Sequence, residues 1–147
     1  MKLLKDITSR DPQRIWWSSS AIRRLRDKET LALLVQHLDE IREKTRGVEL
    51  GGVLRTNSSH LDFALRKLEF VRDERGCLCL LYSEDDLFNP EQEEADGNIR
   101  ILHKAFENYS GSYDCECKLC GTKYHVEEQM YHYAWWAWKK VEDQTVR

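Results

Sequence analysis

The feature that most constrains the fold is an aromatic, cysteine-rich stretch at residues 113–138, YDCECKLCGTKYHVEEQMYHYAWWAW. Residues 112–117 alternate between apolar and polar side chains, and residues 122–126 do so again, as expected for two half-buried strands. Between them, Lys118-Leu119-Cys120-Gly121 has the composition of a tight turn, since glycine adopts positive φ freely. The stretch therefore predicts a β-hairpin that carries a thiol in its turn.

The first third of the chain has helical periodicity. An apolar stripe recurs at helical spacing across residues 28–46, which predicts a single helix ending at Gly47. A second stripe follows Ser59, which begins a capping-box pattern with Asp62. We expect the core of these helices to include Leu34, Leu38 and Leu65.

The periodicity then changes from helical to extended. LEFVRD and CLCLLY flank Glu74-Arg75-Gly76, which predicts a second hairpin over residues 68–82. Residues 98–106 alternate like a strand, although Leu102 breaks the alternation and a helix also fits. We predict an α+β fold, with N-terminal helices packed on a C-terminal antiparallel sheet of about four to five strands. One domain should span residues 1–147, with its helical part at about 1–68 and its sheet part at about 68–140.

Composition restricts the possible locations and partners. The net charge is −3, so overall charge gives no reason to expect binding to nucleic acid or to an anionic membrane. The N-terminal sequence MKLLKDITSRDPQR has no apolar run long enough for a signal peptide, and no later run is long enough to span a bilayer. Five cysteines without an export signal indicate reduced thiols. We therefore expect a cytoplasmic protein that does not contact membranes.

The cysteine spacing suggests a metal site. Cys117 and Cys120 have the spacing of a zinc knuckle, and Cys77 and Cys79 are the candidates for the second pair of ligands. Two observations oppose this hypothesis. Alternate residues of a flat strand lie roughly 6–7 Å apart, too far for sulfurs on one ion, and Cys115 would be a fifth thiol without a role. The alternative is that all five thiols are small core residues.

No pattern for catalysis is present. A cysteine nucleophile needs a base and an orienting group, and neither His125 nor His132 lies in a motif that supplies them. The chain has no glycine-rich phosphate loop, no GxSxG and no HExxH. We therefore predict that the protein is not an enzyme.

Two segments are candidates for binding a partner. The aromatic residues near the C-terminus, Trp135 to Trp138 among them, are either core or an interface anchor. We predict an exposed loop over residues 83–97, in which residues 84–96 contain seven acidic residues and no basic one. Such a segment is either a solvated loop or a surface that enters a basic cleft, with steering by charge and anchoring by an aromatic residue. The predicted partner-binding residues are Glu84, Asp85, Asp86, Leu87, Phe88, Glu91, Glu93 and Glu94.

A family resemblance extends this interpretation. The run CxCxxCGxxYxVEExxYHYxWWxW from Cys115 to Trp138, with CLCLLY at 77–82 and GGVLRTN at 51–57, resembles small bacterial immunity proteins encoded beside polymorphic toxins of the Rhs type. Those toxins are delivered by contact or by type VI secretion. The resemblance covers roughly residues 47–138. It implies a cytosolic antitoxin that binds one cognate toxin domain, one to one, and blocks its active site. It identifies no contact residues.

The alternative is a small zinc-binding regulator or nucleic-acid adaptor. The cysteine pairs favour a zinc regulator. Nucleic-acid binding is disfavoured because Glu127 and Glu128 beside the aromatic cluster repel phosphate.

Overall fold

The structure is a computed structural model that describes residues 1–52, 57–131 and 133–142. Residues 53–56, which belong to the stretch that carries the family resemblance, lie outside the described residues, as does His132. The chain divides into two compact units, Met1–Gly76 and Cys77–Arg147. In the part of the chain that the structure describes, no helix combines the length and apolar character needed to cross a membrane.

The first unit is helical. Its helices are α1 (Lys2–Ile7), α2 (Pro12–Arg24), α3 (Lys28–Gln36), α4 (Leu38–Thr45) and α5 (Ser58–Arg72). The carboxylate of Asp11 accepts hydrogen bonds from the main-chain N–H groups of Gln13 and Arg14, which caps α2. Proline at the first position of α2 suits this start, because its missing N–H would have no helical partner there.

The predicted single helix over residues 28–46 is two helices, α3 and α4. The main chain leaves helical geometry at His37, where φ is −108° and ψ is 16°. The apolar stripe continues across this break, because Leu31, Leu34, Leu38 and Ile41 are all buried. The predicted core positions Leu34 and Leu38 are confirmed, whereas Leu65 is only half-buried.

Helix α5 contributes a buried lysine, Lys67, that caps the C-terminal end of α2. The ammonium group of Lys67 donates hydrogen bonds to the main-chain oxygens of Ile22, Arg23 and Leu25, at 2.9, 2.9 and 2.6 Å. The last carbonyls of a helix lack partners within the helix and carry partial negative charge. Lys67 therefore satisfies the C-terminal end of α2 from inside the unit.

The predicted hairpin over residues 68–82 is wrong. Helix α5 continues to Arg72 because Leu68, which is fully buried, extends the helical stripe of Leu61 and Ala64. The chain then turns through positive φ at Glu74 (51°) and Gly76 (121°). Residues Leu78–Glu84 form a 3-10 helix instead of a strand.

The second unit contains a four-stranded antiparallel sheet in the order β1-β2-β3-β4. The strands are β1 (Ile99–Glu107), β2 (Ser110–Cys117), β3 (Lys123–Tyr131) and β4 (Tyr133–Lys140), and a short helix α6 (Pro90–Ala95) precedes them. The α+β class is confirmed, as is the hairpin formed by β2 and β3. Residues 98–106 are indeed mostly strand, and Leu102 lies at a register shift between Ile101 and His103. A β-bulge thus explains why Leu102 breaks the alternation.

The core of the second unit is aromatic. The ring of Tyr82 stacks on Trp138 with centroids 4.2 Å apart, and it meets Phe88 and Tyr124 edge-on at 5.1 and 6.0 Å. The Trp138 indole N–H donates to the main-chain oxygen of Phe88 at 2.9 Å. The 3-10 helix therefore covers the buried face of the sheet.

We predict that Leu38→Ala lowers the free energy of unfolding by about 2–5 kcal/mol, the usual cost of such a cavity. Leu38 is only 3% exposed, so the deleted atoms leave space that the helices fill incompletely. Urea denaturation measures the change, with Gln36→Ala on the exposed face of α3 as the control. A loss below about 1 kcal/mol would contradict the core position.

Candidate metal centre

Four cysteines of the second unit converge on one point. The thiols of Cys77, Cys79, Cys117 and Cys120 all lie within 4.8 Å of one another. The Sγ atoms of Cys77 and Cys117 are 3.7 Å apart, and those of Cys79 and Cys120 are 3.5 Å apart. All are free thiols. The arrangement is compatible with a shared metal ion, and it brings together the two cysteine pairs singled out from sequence.

The turn between β2 and β3 positions two of these thiols. The Gly121 N–H donates to the Cys117 oxygen at 2.9 Å, and the Cys117 N–H donates to the Thr122 oxygen at 2.8 Å. Gly121 has a φ of 78°, a conformation that favours glycine. The Lys118 N–H also donates to the oxygen of Asn98 at 3.1 Å, which fixes the turn to the start of β1.

The other two thiols come from the 3-10 helix. Cys77 immediately precedes this helix and Cys79 lies within its first turn, where the Leu80 N–H donates to the Cys77 oxygen at 3.1 Å. The sequence-based objection assumed a flat strand here, in which alternate side chains stand too far apart. Cys79 instead lies in the first turn of a 3-10 helix. This turn brings the thiols of Cys77 and Cys79 within 4.8 Å of each other.

Burial disfavours ionisation of two of these thiols. It raises the pKa of Cys79 far above the ordinary value and raises that of Cys77 as well. Burial acts in the same direction on Cys120, but there the hydrogen bonds outweigh it and lower the pKa to about 6. The main donor is Thr122, whose hydroxyl oxygen lies 3.1 Å from the Cys120 sulfur.

Tyr124 is a residue of the site that the sequence did not single out. Its hydroxyl donates to the main-chain oxygen of Cys79 at 2.9 Å and lies 3.2 Å from the Cys79 sulfur. Groups that hydrogen-bond to ligands orient them and tune the metal. The alternation of Tyr124 with Lys123 and His125 predicted the face of the strand on which Tyr124 lies. It did not predict the contact with Cys79.

The fifth cysteine, Cys115, stands apart from the cluster. It is fully buried on the inner face of β2, and burial raises the pKa of its thiol to about 12. Cys115 is therefore a small core residue, which is the role that the alternative interpretation gave to all five thiols.

His125 lies on the other face of the sheet from Cys115 and Cys117. Its Nδ1 lies 2.9 Å from a carboxylate oxygen of Asp114, and its Nε2 lies 3.4 Å from Glu127. The hydrogen bond with Asp114 raises the pKa of His125. His125 is therefore hydrogen-bonded to carboxylates rather than to a thiol.

The acidic segment is structured, and the expectation of an exposed loop over residues 83–97 is wrong. Its second half forms α6, capped by Asn89, whose side chain accepts from the Glu91 N–H. Its first half runs along β4, where the Trp136 N–H donates to the Asp86 oxygen at 2.8 Å. Of the predicted partner-binding residues, Asp85, Phe88 and Glu93 are buried, Asp86 and Leu87 are half-buried, and Glu84, Glu91 and Glu94 are exposed.

The buried and exposed carboxylates have different structural roles. Glu93 accepts hydrogen bonds from the Tyr82 hydroxyl at 2.6 Å and from the Asn98 amide at 3.1 Å. Glu94 accepts from the main-chain N–H of Ile101, on the outer edge of β1, at 2.8 Å. Glu93 and Glu94 of the acidic segment therefore stabilise the second unit itself.

Comparisons of the chain with protein-family models, with curated proteins and with solved structures found no match.

Phe88 was expected to anchor a partner, but its side chain is only 7% exposed. We predict that Phe88→Ala lowers the free energy of unfolding by about 3–5 kcal/mol, because it removes a ring packed on Tyr82. Thermal and urea denaturation measure the loss. Leu87→Ala, at a half-buried neighbour, is the control and should cost less. Unchanged stability of Phe88→Ala would show that the ring does not belong to the core.

Proposed function

We propose that the protein is a zinc-stabilised immunity protein that binds a toxin domain, one to one, and blocks its active site. The four-thiol cluster supports the zinc part of this proposal. The resemblance in sequence supports the immunity part, and the exposed carboxylates of the acidic segment suit a partner with a basic cleft.

The thiol geometry fits zinc. A tetrahedral ion with Zn–S bonds of about 2.3 Å separates its sulfurs by about 3.8 Å, close to the 3.7 and 3.5 Å between the paired Sγ atoms. Four cysteines form a closed set, typical of structural zinc. Cys77, Cys79, Cys117 and Cys120 would hold the ion, which would supply a cross-link between segments about forty residues apart. Because zinc binds thiolates, it would also offset the cost of ionising buried thiols.

We predict about one equivalent of zinc in protein purified without added metal, measured by elemental analysis. Cys117→Ser and Cys120→Ser should lose zinc and the cooperative unfolding of the second unit, because structural zinc contributes directly to folding. Cys115→Ala is the matched control and should keep the metal. A well-folded protein without metal would overturn the zinc assignment, and iron in its place would keep the site but change the ion.

The remaining exposed carboxylates provide the charge for partner recognition. Glu84, Glu91 and Glu94 are exposed on a segment of seven acidic residues without a basic one. Clustered charge of one sign steers an oppositely charged partner and raises the association rate. A toxin that acts on nucleotides or nucleic acid needs a basic cleft, in which carboxylates can occupy the place of substrate phosphates.

We predict that the triple variant Glu84→Gln, Glu91→Gln and Glu94→Gln associates more slowly with the toxin domain encoded by the neighbouring gene. The salt dependence of its association rate should also weaken, because exposed charges act mainly on encounter. Stopped-flow or surface-based kinetics at several ionic strengths measure both effects.

The matched control removes three exposed charges from the helical unit, with Glu29→Gln, Asp39→Asn and Glu40→Gln. If both variants associate at the parent rate, the acidic segment does not steer the toxin. If the parent protein does not bind the toxin domain but binds RNA or DNA with strong salt dependence, the adaptor function is favoured instead.

A further inference from the structure

The hairpin of β1 and β2 extends beyond the aromatic core. Strand β1 is buried at Ile99, but every residue from Leu102 to Glu107 is exposed. Two aromatic side chains stand at this end of the hairpin. Phe106 is 58% exposed and Tyr109 is 101% exposed. We call residues 106–109 the hairpin tip.

The main chain of the tip turns through a conformation that favours glycine. Asn108 has a φ of 50° and Tyr109 a φ of 66°. Two-residue hairpin turns with positive φ at both central positions strongly prefer Asn-Gly, because a side chain at the second position is strained. Here a large aromatic residue takes the place of that glycine, and its side chain is fully exposed. Local folding therefore does not account for Tyr109.

The second aromatic residue of the tip is held in place from behind. The Phe106 ring meets Tyr113 edge-on with centroids 6.2 Å apart. Gly111 makes room for this contact, because a Cβ there would lie 3.0 Å from both Phe106 and Tyr113. More than half of the Phe106 surface nevertheless remains exposed, so the tip offers a positioned ring to solvent.

The tip adjoins the acidic segment and an acidic groove. The Tyr113 hydroxyl that lies behind Phe106 donates to Glu91 of α6 at 3.2 Å. A shallow groove of about 340 Å³ beside the tip is lined by three carboxylates, from Glu107, Glu127 and Glu128, and its described lining includes no basic residue. Lys104, two residues before Phe106, pairs with Glu91 at 3.4 Å, so the groove carboxylates of Glu107, Glu127 and Glu128 carry the net charge beside the tip.

We propose that the hairpin tip is the anchor of the toxin interface, with Tyr109 and Phe106 entering an apolar pocket whose rim is basic. This inference rests on the proposed function and replaces Phe88, which is buried, as the aromatic anchor. Tyrosine is enriched among the residues that dominate interface affinity. The surrounding carboxylates match a basic rim and oppose nucleic acid as the occupant, although bases also stack on exposed aromatic rings.

The decisive variant is Tyr109→Gly, because it should keep or raise the stability of the fold while it weakens binding of the toxin domain. Glycine relieves the positive φ, so the melting temperature should hold or rise. The dissociation constant for the toxin domain of the neighbouring gene should increase about tenfold or more, mainly through faster dissociation. Tyr109→Asn is a second variant that tolerates the same φ. Trp17→Ala removes an exposed aromatic side chain from the helical unit and should leave binding unchanged.

The outcomes separate the two proposals. If the parent binds the toxin domain and both Tyr109 variants bind equally well, the tip is not the anchor but the immunity function stands. If the parent does not bind, both proposals are overturned. Weakened binding by the tip variants, with melting temperatures at or above that of the parent and normal binding by Trp17→Ala, supports the anchor.

Discussion

In the second unit, four thiols converge from two segments that are remote in sequence. Cys77 and Cys79 belong to the start of the 3-10 helix, and Cys117 and Cys120 to the turn between β2 and β3. Closing a chain loop of this length costs conformational entropy. The proposed zinc ion would offset that cost through strong bonds to thiolates. The hydroxyl of Tyr124, which contacts both the sulfur and the main chain of Cys79, links the cluster to the aromatic core.

The acidic segment illustrates how one stretch can contribute both to the fold and to its surface. An open sheet exposes unpaired main-chain groups at both edges, a site for unwanted pairing with other chains. Here Glu94 accepts from the Ile101 N–H on β1, and the Asp86 oxygen accepts from the Trp136 N–H on β4. Each edge therefore has at least one main-chain group paired by the segment that precedes the sheet.

The proposed interface assigns different tasks to charge and to aromatic surface. Exposed carboxylates act over several ångströms and affect how fast partners meet, whereas a desolvated ring affects how slowly they separate. Glu91 lies between the two, because it accepts from Tyr113 and pairs with Lys104 at 3.4 Å. Its position on α6 makes the acidic segment and the hairpin tip neighbouring parts of one surface.

The sequence by itself determined the elements whose signals are local. Side-chain alternation marked β2 and β3, and helical spacing marked the buried faces of α3, α4 and α5. The broken alternation at Leu102 left strand and helix both open, and the β-bulge there came only from the structure. Only the tertiary structure decided whether CLCLLY is a strand or a 3-10 helix, because a short apolar run fits either. The tertiary structure alone likewise decided that the four thiols converge and that Phe88 is buried. No local pattern shows that residues forty positions apart share a point, or that a ring in an acidic segment packs on Tyr82 rather than on a partner.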